Sequence, residues 1–282
     1  MKYKIALAQA AACSRKDENL AKAADYTRRA CRLGAQIVVF PEYFMFSPAP
    51  GAGYPFIREN AESTDGRFVR EMRKIAADNS CWIVFGIYES IPEDAQHIYN
   101  TSLIVDSSGR TAGVYRKVHL FDAFGNQESK HVKAGDRLFE PIDTPFGRVG
   151  LMVCYDSRFP EAARYEAVNG ADIIIMPSAW FAGEDKLRQL DILTASRALE
   201  NTVYLAVSNL CGAIYTGSSR VMGPDGSMIA GAGKAGAVPD DRTGTIPAAS
   251  EEQLVIAEID TDALAAIRRK VPALKGRRTD LY

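Results

Sequence analysis

Three side chains in this sequence have the chemistry needed for acyl transfer, and each follows a run that reads as a strand. Glu42 stands in Phe40-Pro41-Glu42-Tyr43-Phe44, directly after the apolar run Ile37-Val38-Val39. A carboxylate walled by aromatic rings is desolvated and suited to accept a proton; the plain alternative is a solvated turn acid. Lys117 ends a hairpin strand in Tyr115-Arg116-Lys117-Val118-His119. Strand alternation sends Arg116 and Lys117 to opposite faces, so one points out while the other turns in. A buried ammonium stabilises an oxyanion, whereas an exposed strand end does no chemistry. Cys154 lies just past the apolar run Gly150-Leu151-Met152-Val153, with Pro160 placed to open a helix. A thiol near a helix N-terminus is predicted to have a lowered pKa and to be nucleophilic. The competing reading is a small buried core residue.

Behind these residues the chain alternates strand-like and helix-like segments, the pattern of α/β architecture. Ile5–Gln9, Ile37–Phe40 and Trp82–Tyr88 read as strands, with helices predicted over Glu18–Leu33 and Arg67–Asp78. Asp106-Ser107-Ser108-Gly109 turns a hairpin between Thr101–Val105 and Gly113–Tyr115, and Pro145-Phe146-Gly147 turns another into Arg148–Val153. The second half repeats the alternation, with helices at Glu161–Asn169 and Lys186–Asn201 and strands at Ile173–Met176 and Val203–Ser208. Val221–Ile229 reads as a hairpin, Leu254–Ile259 as a last strand, and Asp260 as the cap of a helix over Ala263–Lys270. The Gly- and Pro-rich stretches Ser47–Tyr54 and Gly231–Ser250 read as loops, the second a mobile surface loop. No linker or repeat divides the chain, so residues 1–282 read as one domain.

Composition excludes several classes. Lys plus Arg is 34 and Asp plus Glu 35, a net charge of −1, without the basic footprint of a nucleic-acid or anionic-membrane binder. No apolar stretch reaches the ~18 residues of a membrane span. Five cysteines without a Cys-x-x-Cys pair argue against a disulfide framework and for a reducing, cytoplasmic compartment. Apart from Cys154 they read as core residues within elements. His97, His119 and His131 have no metal-ligand spacing, so no metal is expected, and His119 reads as a hydrogen-bonding residue.

Together, Pro41-Glu42-Tyr43-Phe44, Tyr115-Arg116-Lys117-Val118-His119-Leu120-Phe121 and Val153-Cys154-Tyr155-Asp156-Ser157-Arg158-Phe159-Pro160-Glu161 resemble the motifs of the nitrilase superfamily of carbon–nitrogen hydrolases, in the same order. The resemblance runs from the first strand, through Arg197-Ala198-Leu199-Glu200-Asn201, to Arg277–Tyr282. It implies a four-layer αββα sandwich, a homodimer or higher homo-oligomer built on a helical face with the C-terminal tail across the interface, and a Cys-Glu-Lys site. It also implies a second glutamate that orients substrate and lysine; Glu128 matches that position, with Glu140 as a rival.

In the chemistry so implied, Cys154 attacks an amide carbonyl, Glu42 moves the proton, and Lys117 with the backbone N–H of Tyr155 holds the oxyanion. No cofactor is required. The residues after Cys154 look like the amidase branch, similar to omega-amidases and deaminated glutathione amidases, which favours a small linear amide substrate. Arg158 either joins Asp156 and Glu161 in a structural ion-pair network or holds a substrate carboxylate. Trp180, in Ser178-Ala179-Trp180-Phe181, is the best candidate for a substrate contact, with core or interface packing as the alternative. An N-carbamoyl amino acid or amine hydrolase is the enzymatic rival, and a non-catalytic binding protein on the same fold the other.

Overall fold

The computed structural model describes residues 1–48, 51–240 and 243–281. Its first half runs β1 (Lys2–Gln9), α1 (Lys16–Arg32), β2 (Ile37–Val39), α2 (Gly53–Asn60), α3 (Arg67–Asp78), β3 (Trp82–Ser90), β4 (Ile98–Val105) and β5 (Thr111–Arg116). The second half runs β6 (Ile142–Thr144), β7 (Gly147–Leu151), α4 (Pro160–Val168), β8 (Ile173–Ser178), α5 (Lys186–Asn201), β9 (Tyr204–Asn209), β10 (Arg220–Met222), β11 (Met228–Gly231), β12 (Gln253–Asp260) and α6 (Thr261–Lys270).

The strands form two six-stranded sheets, ordered β12-β1-β2-β3-β4-β5 and β11-β10-β9-β8-β7-β6. Each has a parallel centre, β1-β2-β3 in one and β7-β8-β9 in the other, with antiparallel margins. The continuous apolar runs follow from burial on both faces. In β1, Ile5 and Leu7 pack between the sheets against Val149, Leu151 and Ile175, while Ala6 and Ala8 face the helical layer with Val38, Phe68 and Met72. Met152, Ile174 and Met176 pack on the other outer face with Ala163 of α4 and Leu190 of α5. The result is the αββα sandwich that the motifs implied. It directs the C-terminal ends of β2, β5, β7 and β8 toward one another, where α/β sheets carry their functional groups.

Several expectations are corrected. Ser47–Tyr54 is not loop throughout, because Gly53, Tyr54 and Pro55 open α2; its residues 49 and 50 lie outside the described residues. A proline in the first helical turn loses no intrahelical bond, so glycine-rich composition hid a helix start. The stretch 231–250 is largely at the surface, as expected, but is pinned over residues 233–238: Val238 N–H donates to Leu254 O, Ile256 N–H to Gly236 O, and Gly233 N–H to Gln253 Oε1, all within 2.7–2.8 Å. Residues 241 and 242 of that stretch, and Tyr282 of the tail, lie outside the described residues. All five cysteines are unpaired, yet Cys13 lies between β1 and α1 and, like Cys31, is half-buried rather than core. Asp260 does cap α6, its carboxylate accepting from the backbone N–H of Asp262 and Ala263.

Candidate active site

Glu42 follows β2 and Lys117 follows β5; both are 2% exposed. Glu128 heads a 3₁₀ turn, Glu128–Lys130, and is also buried. These residues converge around one ammonium: Lys117 Nζ lies 3.2 Å from Glu42 Oε1 and 3.0 Å from Glu128 Oε2. Burial alone would strip the proton from Lys117, but Glu128, then Glu42, then Cys154 hold its pKa well above the ordinary lysine value. Burial likewise opposes the charge on Glu128, and Lys117, with the hydroxyl of Tyr43 and the N–H of Phe121, brings that carboxyl below its usual value. Arg116 points the other way and grips Glu89 with two guanidinium nitrogens, as strand alternation required. The rival glutamate, Glu140, is exposed and accepts only from the Tyr165 hydroxyl among its described side-chain contacts.

Cys154 opens a 3₁₀ turn, Cys154–Arg158, with a left-handed φ of 44°. A non-glycine residue held there marks a turn that the surroundings over-determine, and such turns recur at functional sites. Asp156, fully buried two residues on, supplies much of that determination. It accepts from Val153 N–H at 2.9 Å, the Tyr115 hydroxyl at 2.9 Å and His119 N–H at 3.1 Å, and lies 2.8 Å from His119 Nδ1. This carboxylate therefore ties the turn bearing Cys154 to the segment bearing Lys117. Tyr155 follows Cys154 in the turn, where the first N–H groups have no intrahelical partner.

The expected low thiol pKa is overturned. Burial, and then the charge of Glu42, push the Cys154 thiol well above its ordinary value, outweighing Lys117 and Ser178. The full helix α4 starts only at Pro160, so Cys154 lies outside its first turn, where the dipole acts. A neutral thiol beside a carboxylate can react only as its proton moves, so the arrangement is suited to base-assisted attack.

Glu42, Lys117, Glu128 and Cys154 line one cavity of about 370 Å³, with Tyr54, Phe121, Tyr155, Trp180 and Phe181 among its walls. Residues 4–269 match the model of the carbon-nitrogen hydrolase family. The chain belongs to that family. It is 34% identical over 291 residues to omega-amidase NIT2 of Homo sapiens, covering 99% of this chain and 96% of that protein. The solved NitFhit protein of C. elegans superposes with a TM-score of 0.86 at 31% identity, over 100% of this chain and 66% of that one. A mutant amidase from Nesterenkonia sp. AN1, 25% identical with a TM-score of 0.76 over 99% of this chain and 98% of that one, carries the product of Michael addition of acrylamide at its active-site cysteine.

The hydrolase's other predicted site residues also reach the cavity, but not all as expected. Asp156 is engaged by Tyr115, His119 and Val153, and Glu161 is exposed, so the expected Asp156-Arg158-Glu161 ion-pair network does not form. Arg158 instead donates to Gln189 Oε1 at 2.5 Å and lies 5.5 Å over the Trp180 ring and 5.8 Å over those of Tyr155 and Phe124. Trp180 serves both readings at once: it lines the cavity and packs in the outer core, its Nε1 donating to Lys186 O at 2.9 Å.

Sequence reasoning missed Asn100 and Lys186, and read Tyr43 only as an aromatic neighbour of Glu42, not as the hydroxyl that contacts Glu128 and Asn100. Asn100 sits in β4, which begins at Ile98 rather than Thr101, and the polar run Asn100-Thr101-Ser102 at the start of that strand hid it. Lys186 opens α5 beside Arg158, its Nζ 3.2 Å from the Phe124 ring centroid, and nothing in the polar segment before it marks it for the cavity. Among the described residues, no group of three or more His, Cys, Asp or Glu is arranged to hold a metal, and no helix is long and apolar enough to cross a membrane.

Proposed function

We propose that this hydrolase is an amidase of short linear amides that carry a carboxylate, with Cys154 as nucleophile. The observation that carries this reading is Lys117 clamped between Glu42 and Glu128 in the cavity that Cys154 enters. As Cys154 Sγ bonds to the amide carbon, Glu42 takes the thiol proton. The carbonyl oxygen becomes an oxyanion facing the Lys117 ammonium and the Tyr155 N–H; losing one such donor costs roughly 10²–10³ in rate. Collapse breaks the C–N bond, Glu42 returns the proton to the departing nitrogen, and ammonia leaves behind a thioester. Glu42 then takes a proton from water as the water attacks, and the second collapse releases the carboxylate and restores the thiol. Glu128 orients Lys117. The chemistry needs no cofactor.

Arg158 and Lys186 give the substrate its charge. Both line the cavity, and each is described against aromatic rings with no carboxylate partner. Arg158 crowds Lys186, whose pKa is lowered first by burial and then by that charge. An anionic group on the substrate relieves both. The similarity to an omega-amidase supports the same class over the N-carbamoyl alternative.

The test is ammonia release from succinamic acid, propionamide and an N-carbamoyl amino acid, run on wild type beside Cys154→Ala. Succinamic acid is expected to be preferred, with an acyl adduct on Cys154 by mass spectrometry and no turnover by the variant. A preference for the carbamoyl compound sinks the substrate assignment, and a turning-over Cys154→Ala sinks the nucleophile. The proposal extends to residues 1–282 as one domain, working as a homodimer in the cytoplasm. Both sheets contributing to one cavity supports the first, and five unpaired cysteines support the last.

A further inference from the structure

Asn100 faces Tyr88 across the β3–β4 ladder and is 1% exposed. Its Nδ2 lies 2.7 Å from Glu42 Oε1, 2.7 Å from the Tyr43 hydroxyl and 3.2 Å from Glu128 Oε1, and its backbone carbonyl accepts from Lys117 N–H at 2.8 Å. Its Oδ1 is buried without a partner, a state that costs stability and is retained here. Turning the amide over would satisfy nothing, because it would set Oδ1 against two carboxylates.

Two carboxylates around one ammonium leave a buried cluster one negative charge in excess, so each carboxylate relies on hydrogen-bond donors to its charged form. The Tyr43 hydroxyl donates to Glu128 Oε1 at 2.5 Å, and the two amide hydrogens of Asn100 serve Glu42 and the Tyr43 oxygen. The remaining oxygen of Glu42, Oε2, accepts from Ala179 N–H at 2.8 Å. The geometry points to Asn100 as the positioning residue that keeps Glu42 an anion, and so a base, beside Glu128. This rests on the reading of Glu42 as the proton acceptor. The titratable groups facing the amide are Glu42 and Tyr43 after β2, Tyr88 on β3, Lys117 after β5, Glu128, and Cys154 across the cavity.

The experiment measures kcat and KM for succinamic acid against pH in wild type, Asn100→Ala and the nearly isosteric Asn100→Asp. Losing one charge-assisted donor is expected to lower kcat about 10–100-fold in Asn100→Ala, with KM changed less than about threefold. The acidic limb of kcat/KM moves to higher pH, because an unsupported carboxylate takes up a proton more readily. Asn100→Asp adds a third carboxylate and moves that limb further. An acidic limb unmoved in both variants, whatever the rate loss, overturns the proposal, because a merely structural residue would lower the whole profile evenly. If Asn100→Ala does not fold, Asn100→Asp decides. Alkylation of Cys154 by iodoacetamide needs no amide substrate: its pH midpoint rises in Asn100→Asp, and an unchanged midpoint overturns the role. Should wild type leave succinamic acid untouched, the substrate assignment fails while alkylation still decides on Asn100.

Discussion

Lys117 and Glu128 are worth most to each other. Each would be neutral in a dry interior, and each is charged because the other is 3.0 Å away. Glu128→Gln removes the compensating anion and one of the two oxygens that accept from Tyr43 and Phe121, and is expected to lower kcat/KM about 10–100-fold. The pH dependence has a definite sign. The folded Glu128 carboxyl lies below its ordinary value of 4.5, so its ionisation adds stability above that value and loses it as pH falls through the folded pKa. The Tm gap between wild type and Glu128→Gln is therefore widest near neutral pH and narrows in acid. A gap of constant size in scanning calorimetry would contradict the charge pairing.

The elements place these groups by close approach as much as by side-chain contact. β3 passes directly beneath the residue that follows β2: a Cβ at Gly86 would sit 2.7 Å from Tyr43 N and 3.0 Å from Glu42 Cα. Both of those atoms are backbone, and Tyr43 already holds a φ of 56°, so the segment has little room to yield. Gly86→Ala is expected to cost about 1–3 kcal/mol of stability by overpacking. It should also cut kcat at least tenfold through displacement of Glu42, with Tm and steady-state kinetics as the measurements. A variant with wild-type kcat would mean that the position of Glu42 tolerates movement of its backbone. Helix α2 contributes Tyr54 to the cavity wall, where it stacks on His131 at 3.8 Å.

The two sheets bury their shared core against each other, and the outer helices shield their far faces, except that α5 leaves apolar surface uncovered. Ile192 and Leu199, seven residues apart on that helix, are 52% and 55% exposed, and Val168 at the end of α4 is 46% exposed. Residues at i and i+7 share one helical face, and such a stripe supports the proposed homodimer. Light scattering is expected to give twice the chain mass of 30.8 kDa, and Ile192→Asp to yield a monomer. A wild type that runs as a monomer at micromolar concentration removes the dimer. A single cooperative transition on urea denaturation tests the proposed one-domain organisation.

The amino-acid sequence alone carried the layered α/β class and most strands and helices, because strand burial leaves local traces, while Glu42, Lys117 and Cys154 were singled out together by their motif resemblance. Glu128 was legible only through its motif position, and Glu140 stayed a rival until the fold placed it on the surface. Boundaries at Gly53 and Ile98 escaped, since glycine-rich and polar composition imitates loop there. The tertiary structure alone decided the electrostatics. Whether the Cys154 thiol is acidic, whom Asp156 binds, and that Asn100 reaches two carboxylates depend on burial and on partners far away in the chain, such as Glu42 for Cys154, Tyr115 for Asp156 and Glu42 for Asn100. Desolvation and Coulomb energies belong to distances in space, and sequence spacing does not encode them.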